Sequence, residues 1–173
     1  MPVVLQPIDI PVALSLCLRP AQTFASLGAE IGISPSTAHQ AVRRLIAAGL
    51  VFSRGGRHEA NVAGLEEFLT HGVRYAFPPE RGRRQRGVPT AHSAPVARDQ
   101  LGDAMEPLVW PSSRGKIAGT SLTPLAPAAA ELFEDRADLY ELLTLVDLLR
   151  VGTARDRGVA SKLLADRLEA RAL

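Results

Sequence analysis

Polar side chains at a spacing suited to nucleic-acid contact occur between residues 36 and 48. This segment predicts a helix with Ala38, Val42, Leu45 and Ile46 on its apolar face. The opposite side and its edges carry Ser36, Thr37, His39, Gln40, Arg43 and Arg44. Such hydroxyl, amide and guanidinium groups can hydrogen-bond base edges and phosphates in a major groove that admits a helix. An ordinary solvated helix face has the same pattern, so this helix alone leaves both interpretations open.

The residues before this helix predict the elements that would position it. Thr23 can cap a short helix that ends near Ile31, since its hydroxyl can accept a hydrogen bond from a first-turn amide. Gly32 suits the left-handed end of that helix, and Ser34 with Pro35 forms a cap followed by a first-turn proline. A three-residue turn between two helices predicts a helix-turn-helix.

The residues after Gly49 predict a β-hairpin. Residues 50–54 and 57–60 read as two short strands, and the Gly55-Gly56 dipeptide between them favours a two-residue turn. The tip of this hairpin carries Arg54, Arg57 and His58. The hairpin therefore makes DNA contact the better interpretation of the preceding helix face.

Residues 8 to 72 resemble winged-helix DNA-binding domains of the MarR type. In those domains a Gly-Leu pair after the recognition helix leads into a basic β-wing, and here that pair is Gly49 and Leu50. The resemblance implies that the second helix of the motif and the wing contact DNA. We include the two capping residues, Thr23 and Ser34, among the candidate DNA-binding residues.

Helices are also predicted on either side of this motif. Asp9 is a candidate cap for a support helix from Ile10 to Leu18, which Pro20 prevents from continuing. Asn61 is the corresponding candidate cap for a helix from Val62 to about His71. We expect residues 1–77 to form one DNA-binding domain.

Residues 78–98 predict an extended or disordered basic arm, because they are rich in Gly, Pro and Arg and contain little to bury. Residues 73–98 carry six Arg against one Glu, whereas residues 1–72 are balanced and residues 99–173 are acidic. The arm could follow a phosphate backbone or enter a minor groove through Arg81, Arg83, Arg84 and Arg86. The alternative is a solvated linker.

Residues 99–173 predict a C-terminal interaction or dimerisation region. Two apolar pieces, near Trp110 and Ile117, could form a loose hairpin, and helices are expected at about 128–150 and 153–172. The longer helix is apolar nearly all round its Leu139–Leu149 stretch, so it must be buried in its own domain or against another chain. A homodimer and a self-contained helical domain are the two alternatives.

Catalytic and metal-binding patterns are weak in this chain. The residues from Ser113 to Ile117 lack the upstream glycine and the hydroxyl of a phosphate-binding loop, and the four histidines lack the spacing of a zinc site. The single cysteine, Cys17, lies in an apolar stretch and is expected to pack as a small hydrophobic side chain. We therefore expect no enzyme activity, no cofactor and no metal.

The sequence as a whole predicts a mainly α fold, with an α+β winged helix-turn-helix N-terminal domain, an Arg-rich linker and a largely helical C-terminal region. The predicted function is a sequence-specific transcriptional regulator, acting as a repressor, which binds double-stranded DNA as a homodimer. The alternative is an antitoxin whose N-terminal half binds DNA and whose C-terminal half binds a toxin protein. With neither a charged leader nor a membrane-length apolar run, the chain is expected to be cytoplasmic, with no membrane partner.

Overall fold

A computed structural model describes residues 2–20, 23–103 and 106–171. The N-terminal part begins with three helices, α1 (Asp9–Leu18), α2 (Phe24–Ile31) and α3 (Pro35–Ala47). An antiparallel wing follows, formed by β1 (Val51–Arg54) and β2 (Arg57–Ala60), and then come α4 (Val62–His71) and α5 (Val73–Ala76). The helix, turn, helix and wing are in the predicted order.

The C-terminal part combines a small sheet with four helices in the described ranges. Its elements are β3 (Arg81–Pro89), a 3-10 turn (Ala91–Ser93), α6 (Pro95–Leu101), β4 (Leu108–Pro111), β5 (Ile117–Leu122), α7 (Ala129–Asp135), α8 (Ala137–Val151) and α9 (Ala154–Glu169). The predicted last helix extends to Ala172, which lies outside the described residues. The mainly helical fold class, with a winged helix-turn-helix at the N-terminal end, is confirmed.

Local side-chain caps fix the ends of α2 and α3. The Thr23 hydroxyl accepts a hydrogen bond from the Ser26 amide at 3.1 Å, and the Ser34 hydroxyl accepts one from the Thr37 amide at 3.1 Å. Gly32 ends α2 with φ of 84°, a conformation that costs glycine nothing. Both predicted caps and the predicted turn are therefore confirmed.

Two details of the predicted helices are wrong. Asp9 does not cap α1: it is the first residue of that helix, and its carboxylate accepts a hydrogen bond from the Gln6 amide at 2.8 Å. On α3, Ile46 was expected in the core but is 37 % exposed, while Ala41 is fully buried. The buried face of α3 is centred closer to Ala41 because a small side chain there lets the helix pack closely.

The segment expected to be an extended or disordered arm, or a solvated linker, instead contains a strand of the C-terminal sheet, β3. β3 pairs antiparallel with β5 over Arg81–Gly87 and with β4 over Gly87–Pro89, and β4 and β5 run parallel to each other. The expected hairpin of the two apolar pieces is therefore also wrong. The three strands form a small closed sheet.

The glycines of this sheet serve close strand packing and not flexibility. A Cβ atom added at Gly87 would lie 2.1 Å from the Trp110 carbonyl oxygen, and one at Gly115 would lie 2.1 Å from the Gly87 backbone. These distances are far below van der Waals contact, so both positions require the absence of a side chain. The glycine content that suggested a linker therefore reflects a tightly closed sheet.

Helix α8 is buried inside the chain. It packs against α1, α5, α7 and α9, and its residues from Leu142 to Arg150 are all buried. A single hydrophobic core joins α8 with residues of α1, α3 and α4. The surplus apolar surface that suggested a dimer interface on this helix is therefore covered by the chain's own elements. No helix in the described ranges is both long enough and apolar enough to cross a lipid bilayer.

A buried polar cluster ties α8 to the C-terminal sheet. Asp147 accepts hydrogen bonds from the Thr90 hydroxyl and the Trp110 indole, each at 2.7 Å, and from the Arg150 guanidinium at 2.9 Å. Burial raises the pKa of Asp147 above the usual range of a carboxyl group. Arg150 also donates to the carbonyl oxygens of Phe77 and Pro78, which holds the start of the C-terminal part against α8.

Candidate nucleic-acid interface

The outer face of α3 presents a stripe of exposed polar side chains. Ser36, Gln40 and Arg43 follow one another at intervals of four and three residues, so they lie on one side of the helix. The opposite face packs into the core through Ala38, Ala41, Val42 and Leu45. The stripe is about 10 Å long at 1.5 Å per residue, which matches about three base pairs of B-form DNA.

The hydroxyls of the predicted set lie at the starts of the two helices of the motif. Thr23, Ser34 and Thr37 are exposed at these positions. The Ser34 and Thr37 hydroxyl oxygens are 2.9 Å apart. The Thr23 and Ser34 hydroxyl oxygens each accept a hydrogen bond from a backbone amide in the first turn of the following helix. Thr23 and Ser34 therefore have a structural role as helix caps, and Thr37 contacts the second of these caps.

Arg44 is only partly exposed and has an intramolecular partner, although it was predicted to contact base edges or flanking phosphates. Its guanidinium donates to both carboxylate oxygens of Asp9, with Nη2 to Oδ1 at 2.6 Å and Nε to Oδ2 at 2.9 Å. The hydrogen bond to Asp9 raises the pKa of Arg44. Since Asp9 is fully buried, this ion pair fastens α3 to the start of α1. Arg44 therefore positions α3 against α1.

The two histidines of the predicted set pack around Phe24. The centroid of the Phe24 ring lies 4.8 Å from that of His39 and 5.6 Å from that of His58. His58 was expected at the wing tip, but its side chain faces α2 and its Nδ1 atom is buried with no hydrogen-bond partner among the described residues. The alternation of the strand explains this, because Arg57 and Glu59 take the outer face of the wing. His58 is a packing residue that connects the wing to α2.

Two exposed arginines flank the turn of the wing. Arg54 and Arg57 are paired directly across the strands, with Gly55 and Gly56 between them at φ of 56° and 79°. Like charges in directly opposite positions of a sheet repel, and an anion placed between them removes that cost. This pair is therefore well suited to a phosphate group.

Phe52 belongs to the same outer face of the wing, and the sequence did not single it out. It is 45 % exposed, and the Arg54 guanidinium lies 5.9 Å from the centroid of its ring. The alternating pattern of the wing strands is the signal that could have identified it. The outer face of the wing thus combines an aromatic ring, two cationic groups and the carboxylate of Glu59, which lies opposite Phe52.

The arginines of β3 differ in their surroundings. Arg81, Arg83 and Arg86 are exposed, whereas Arg84 donates to both carboxylate oxygens of Glu106 at 2.8 Å. The Arg84 side chain is 60 % exposed, so this ion pair is a surface interaction of about 0.2 to 1 kcal/mol. Three of the four predicted arginines therefore remain available to a phosphate backbone, and the charge of the fourth is balanced.

The start of β3 lies near the N-terminal end of α3. The Thr123 amide donates to the Glu80 carbonyl oxygen at 3.0 Å, and the next residue, Arg81, pairs with Leu122. Thr123 and Thr37 line the same shallow groove of about 530 Å³. The groove thus connects the residue after β5, which pairs with the start of β3, to the first turn of α3.

The N-terminal residues also border the outer face of α3. Val3, which is 53 % exposed, lines a depression of about 350 Å³ together with His39, Gln40 and Arg43. No pattern in the sequence predicted this contact. Arg44 and Ala47 line the same depression.

A family model described as winged helix-turn-helix DNA-binding matches residues 16–51. The match extends from the end of α1 to the first residue of the wing, and it includes the whole of α2, the turn and α3. No curated protein and no solved structure matches the chain. Residues 16–51 therefore form the helix-turn-helix of a winged helix-turn-helix DNA-binding domain, and the exposed stripe of α3 lies within them.

Proposed function

We propose that this protein is a sequence-specific transcriptional regulator that represses its target genes by occupying double-stranded DNA. The observation that carries the proposal is the exposed stripe of Ser36, Gln40 and Arg43 on a helix whose opposite face is fixed in the core. The match of residues 16–51 to a DNA-binding family supports it. An antitoxin function has only the layout of the chain in its favour.

The contacts divide into those that select a sequence and those that supply affinity. Gln40 and Arg43 can each make two hydrogen bonds to one base, as amides do with adenine and guanidinium groups with guanine. Arg54 and Arg57 on the wing contact phosphates on one side of the recognition helix. Arg81, Arg83 and Arg86 of β3 extend the phosphate contacts on the other. Phosphate contacts position the protein, and base contacts specify the site.

The regulator acts as a homodimer on a pseudo-palindromic site. A single recognition helix contacts only about three base pairs, whereas two copies read two half-sites and multiply the selectivity. Helix α8 is buried in its own chain and is not the interface. Sedimentation of the free protein and of its complex should show two chains per DNA site, and a single chain in the complex would exclude this arrangement.

The test is protection of the DNA upstream of the protein's own gene, measured with wild-type protein and with Gln40→Ala and Arg43→Ala. Each substitution should weaken specific binding by about 1 to 3 kcal/mol, or about 5- to 150-fold. Matched controls are Gln100→Ala on α6 and Arg155→Ala on α9, which are exposed and distant from α3 in sequence. If both α3 variants protect the DNA as well as the controls, the assignment of the recognition stripe is wrong.

A further inference from the structure

A small apolar cleft lies between the C-terminal sheet and α7. Its volume is about 140 Å³, and its walls are formed by Val88, Pro89, Ile117, Ala130 and Phe133. A dry cavity of about 150 Å³ in another protein holds one benzene molecule, so this cleft has room for a single ring or a branched hydrocarbon chain. Ile117 and Phe133 are 36 % and 40 % exposed, which leaves apolar surface uncovered at its mouth.

The walls of the cleft are held apart by contacts behind them. The Tyr140 hydroxyl donates to the Pro89 carbonyl oxygen at 2.5 Å, and the Tyr140 and Phe133 rings meet edge to face with centroids 5.0 Å apart. On the sheet side, Gly115 is packed directly on the Gly87 backbone. The backbone on the sheet side of the cleft and one edge of the Phe133 ring are therefore held by contacts behind them.

The rim of the cleft carries charges of both signs. Arg114 and Glu134 form an ion pair at 3.8 Å with both side chains largely exposed. Lys116 and Glu131 line the same cleft, and neither forms an ion pair within the described part of the chain. A ligand of one charge would be attracted by one of these groups and repelled by the other. A ligand with an ammonium group, a carboxylate and an apolar side chain complements both.

Helix α7, which forms one wall of the cleft, is attached at both ends to the helix-turn-helix. Just before α7, the Ala128 amide donates to the Ile31 carbonyl oxygen at 3.2 Å, at the end of α2. Just after it, the Arg136 guanidinium forms an ion pair with Glu30 of α2 and donates to Asp138 at 2.9 Å. A shift of α7 is therefore transmitted to α2, against which the recognition helix packs.

We propose that the cleft is an effector site for a free amino acid with a hydrocarbon side chain, and that its occupation changes DNA affinity through α7. The side chain enters between Val88 and Phe133, the carboxylate faces Lys116 and the ammonium group faces Glu131. The effect on DNA rests on the proposed regulatory function, whereas the binding of the amino acid does not. The two parts are therefore tested separately.

The first experiment titrates the full-length protein without DNA, using calorimetry and the NMR signals of α7. L-Phenylalanine and L-leucine are the probes, glycine is the control without a side chain, and toluene is the control without charges. We expect saturable binding of at least one probe and at least about tenfold weaker binding of both controls. Failure of both probes to bind, or equally tight binding of toluene, would overturn the site.

Variants locate the binding. Ala130→Leu fills the cleft and should abolish binding, while Ala154→Leu on an exposed position of α9 should not. Lys116→Gln and Glu131→Gln should each weaken binding about fivefold, as expected for partly exposed charged contacts. Their matched controls, Lys162→Gln and Glu169→Gln, should bind like the wild type. Unchanged binding in Ala130→Leu, with its fold verified by circular dichroism, would place the ligand elsewhere.

The second experiment measures operator affinity by fluorescence anisotropy with and without the saturating probe. We expect at least about a fivefold change in affinity for the wild type and no change for Ala130→Leu. Equal affinity with and without a bound probe would overturn the coupling through α7 but not the site. Absence of DNA binding under both conditions would refute the proposed function together with the coupling, and the calorimetric result would be unaffected.

Discussion

Replacement of Arg44 by methionine should destabilise the protein strongly, because it leaves a charge buried without its partner. Asp9 is fully buried, and Arg44 supplies three of its close hydrogen-bond contacts, at 2.6, 2.9 and 3.2 Å. After the substitution, the Gln6 amide is the remaining donor in the described structure. Loss of one partner of a buried ion pair costs 3 to 5 kcal/mol. Because the Arg44 side chain is 22 % exposed, we place the cost at the lower end, at about 3 kcal/mol.

The neighbouring residue provides the control for this experiment. Arg43 is exposed on the recognition stripe, so Arg43→Met should change the free energy of unfolding by no more than about 0.5 kcal/mol. It should nevertheless weaken DNA binding by about 1 to 3 kcal/mol. Urea unfolding followed by circular dichroism gives the first quantity, and anisotropy with labelled operator DNA gives the second.

A double variant separates the ion pair from general packing effects. Asp9→Leu combined with Arg44→Met removes both charges, and it should recover more than half of the stability lost in Arg44→Met alone. If Arg44→Met costs less than about 0.5 kcal/mol, the pair does not fasten α3 to α1 and the structural role of Arg44 is refuted. If stability is kept while DNA affinity falls, the original prediction of a DNA contact is the correct one.

Three further predictions follow from burial, close packing and charge. Burial raises the pKa of Cys17 to about 12, so roughly one thiol in ten thousand is ionised at pH 8. An aromatic disulfide reagent should therefore react with Cys17 only after urea unfolding, and rapid reaction of the native protein would contradict this. Gly87→Ala should lower the free energy of unfolding by about 3 kcal/mol, because its Cβ would meet the Trp110 carbonyl oxygen. Gly158→Ala on α9 should raise it by about 1 kcal/mol, because an added Cβ there meets no atom of the described residues. Equal effects of the two substitutions in thermal unfolding would refute the packing argument. Three exposed arginines of β3 are replaced by glutamine in the last variant: Arg81, Arg83 and Arg86. The slope of log affinity against log salt should become shallower by about 2 to 3 units per protomer without a change in the preferred sequence, and an unchanged slope would exclude phosphate contact by this strand.

The helix-turn-helix could be predicted because its signals are local. The Thr23 and Ser34 caps and the Gly32 turn each depend on residues within four positions of one another. The wing likewise depends on the Gly55-Gly56 turn between two short strands. Such patterns fix local backbone geometry without information about distant parts of the chain.

The C-terminal sheet could not be predicted because its determinants are distant in sequence. β3 pairs with residues about 20 to 40 positions later in the sequence, and no local pattern reveals that Gly87 lies against Trp110. A strand that places glycine and arginine in a closed sheet has the same composition as a solvated linker. Hydrophobic pattern alone also could not show that α8 is covered by its own chain.

The candidate site could be predicted only in part, because some of its residues have partners that are distant in the sequence. Helical periodicity correctly placed Ser36, Gln40 and Arg43 on an exposed face, since that property depends only on the helix itself. It could not reveal that Arg44 is paired with Asp9, 35 residues earlier in the sequence, or that His58 packs on Phe24. Intramolecular partners of this kind are distant in sequence, so helical periodicity alone cannot predict them.

The most direct test of the regulatory function is a competition between two DNA fragments. Purified protein is bound to a labelled fragment from upstream of its own gene and is then challenged with the unlabelled fragment or with a scrambled sequence of the same composition at physiological salt. A specific regulator should prefer its own fragment by about a thousandfold or more. Equal competition by the two fragments would show that the protein binds DNA without reading its sequence, and it would contradict the proposed function.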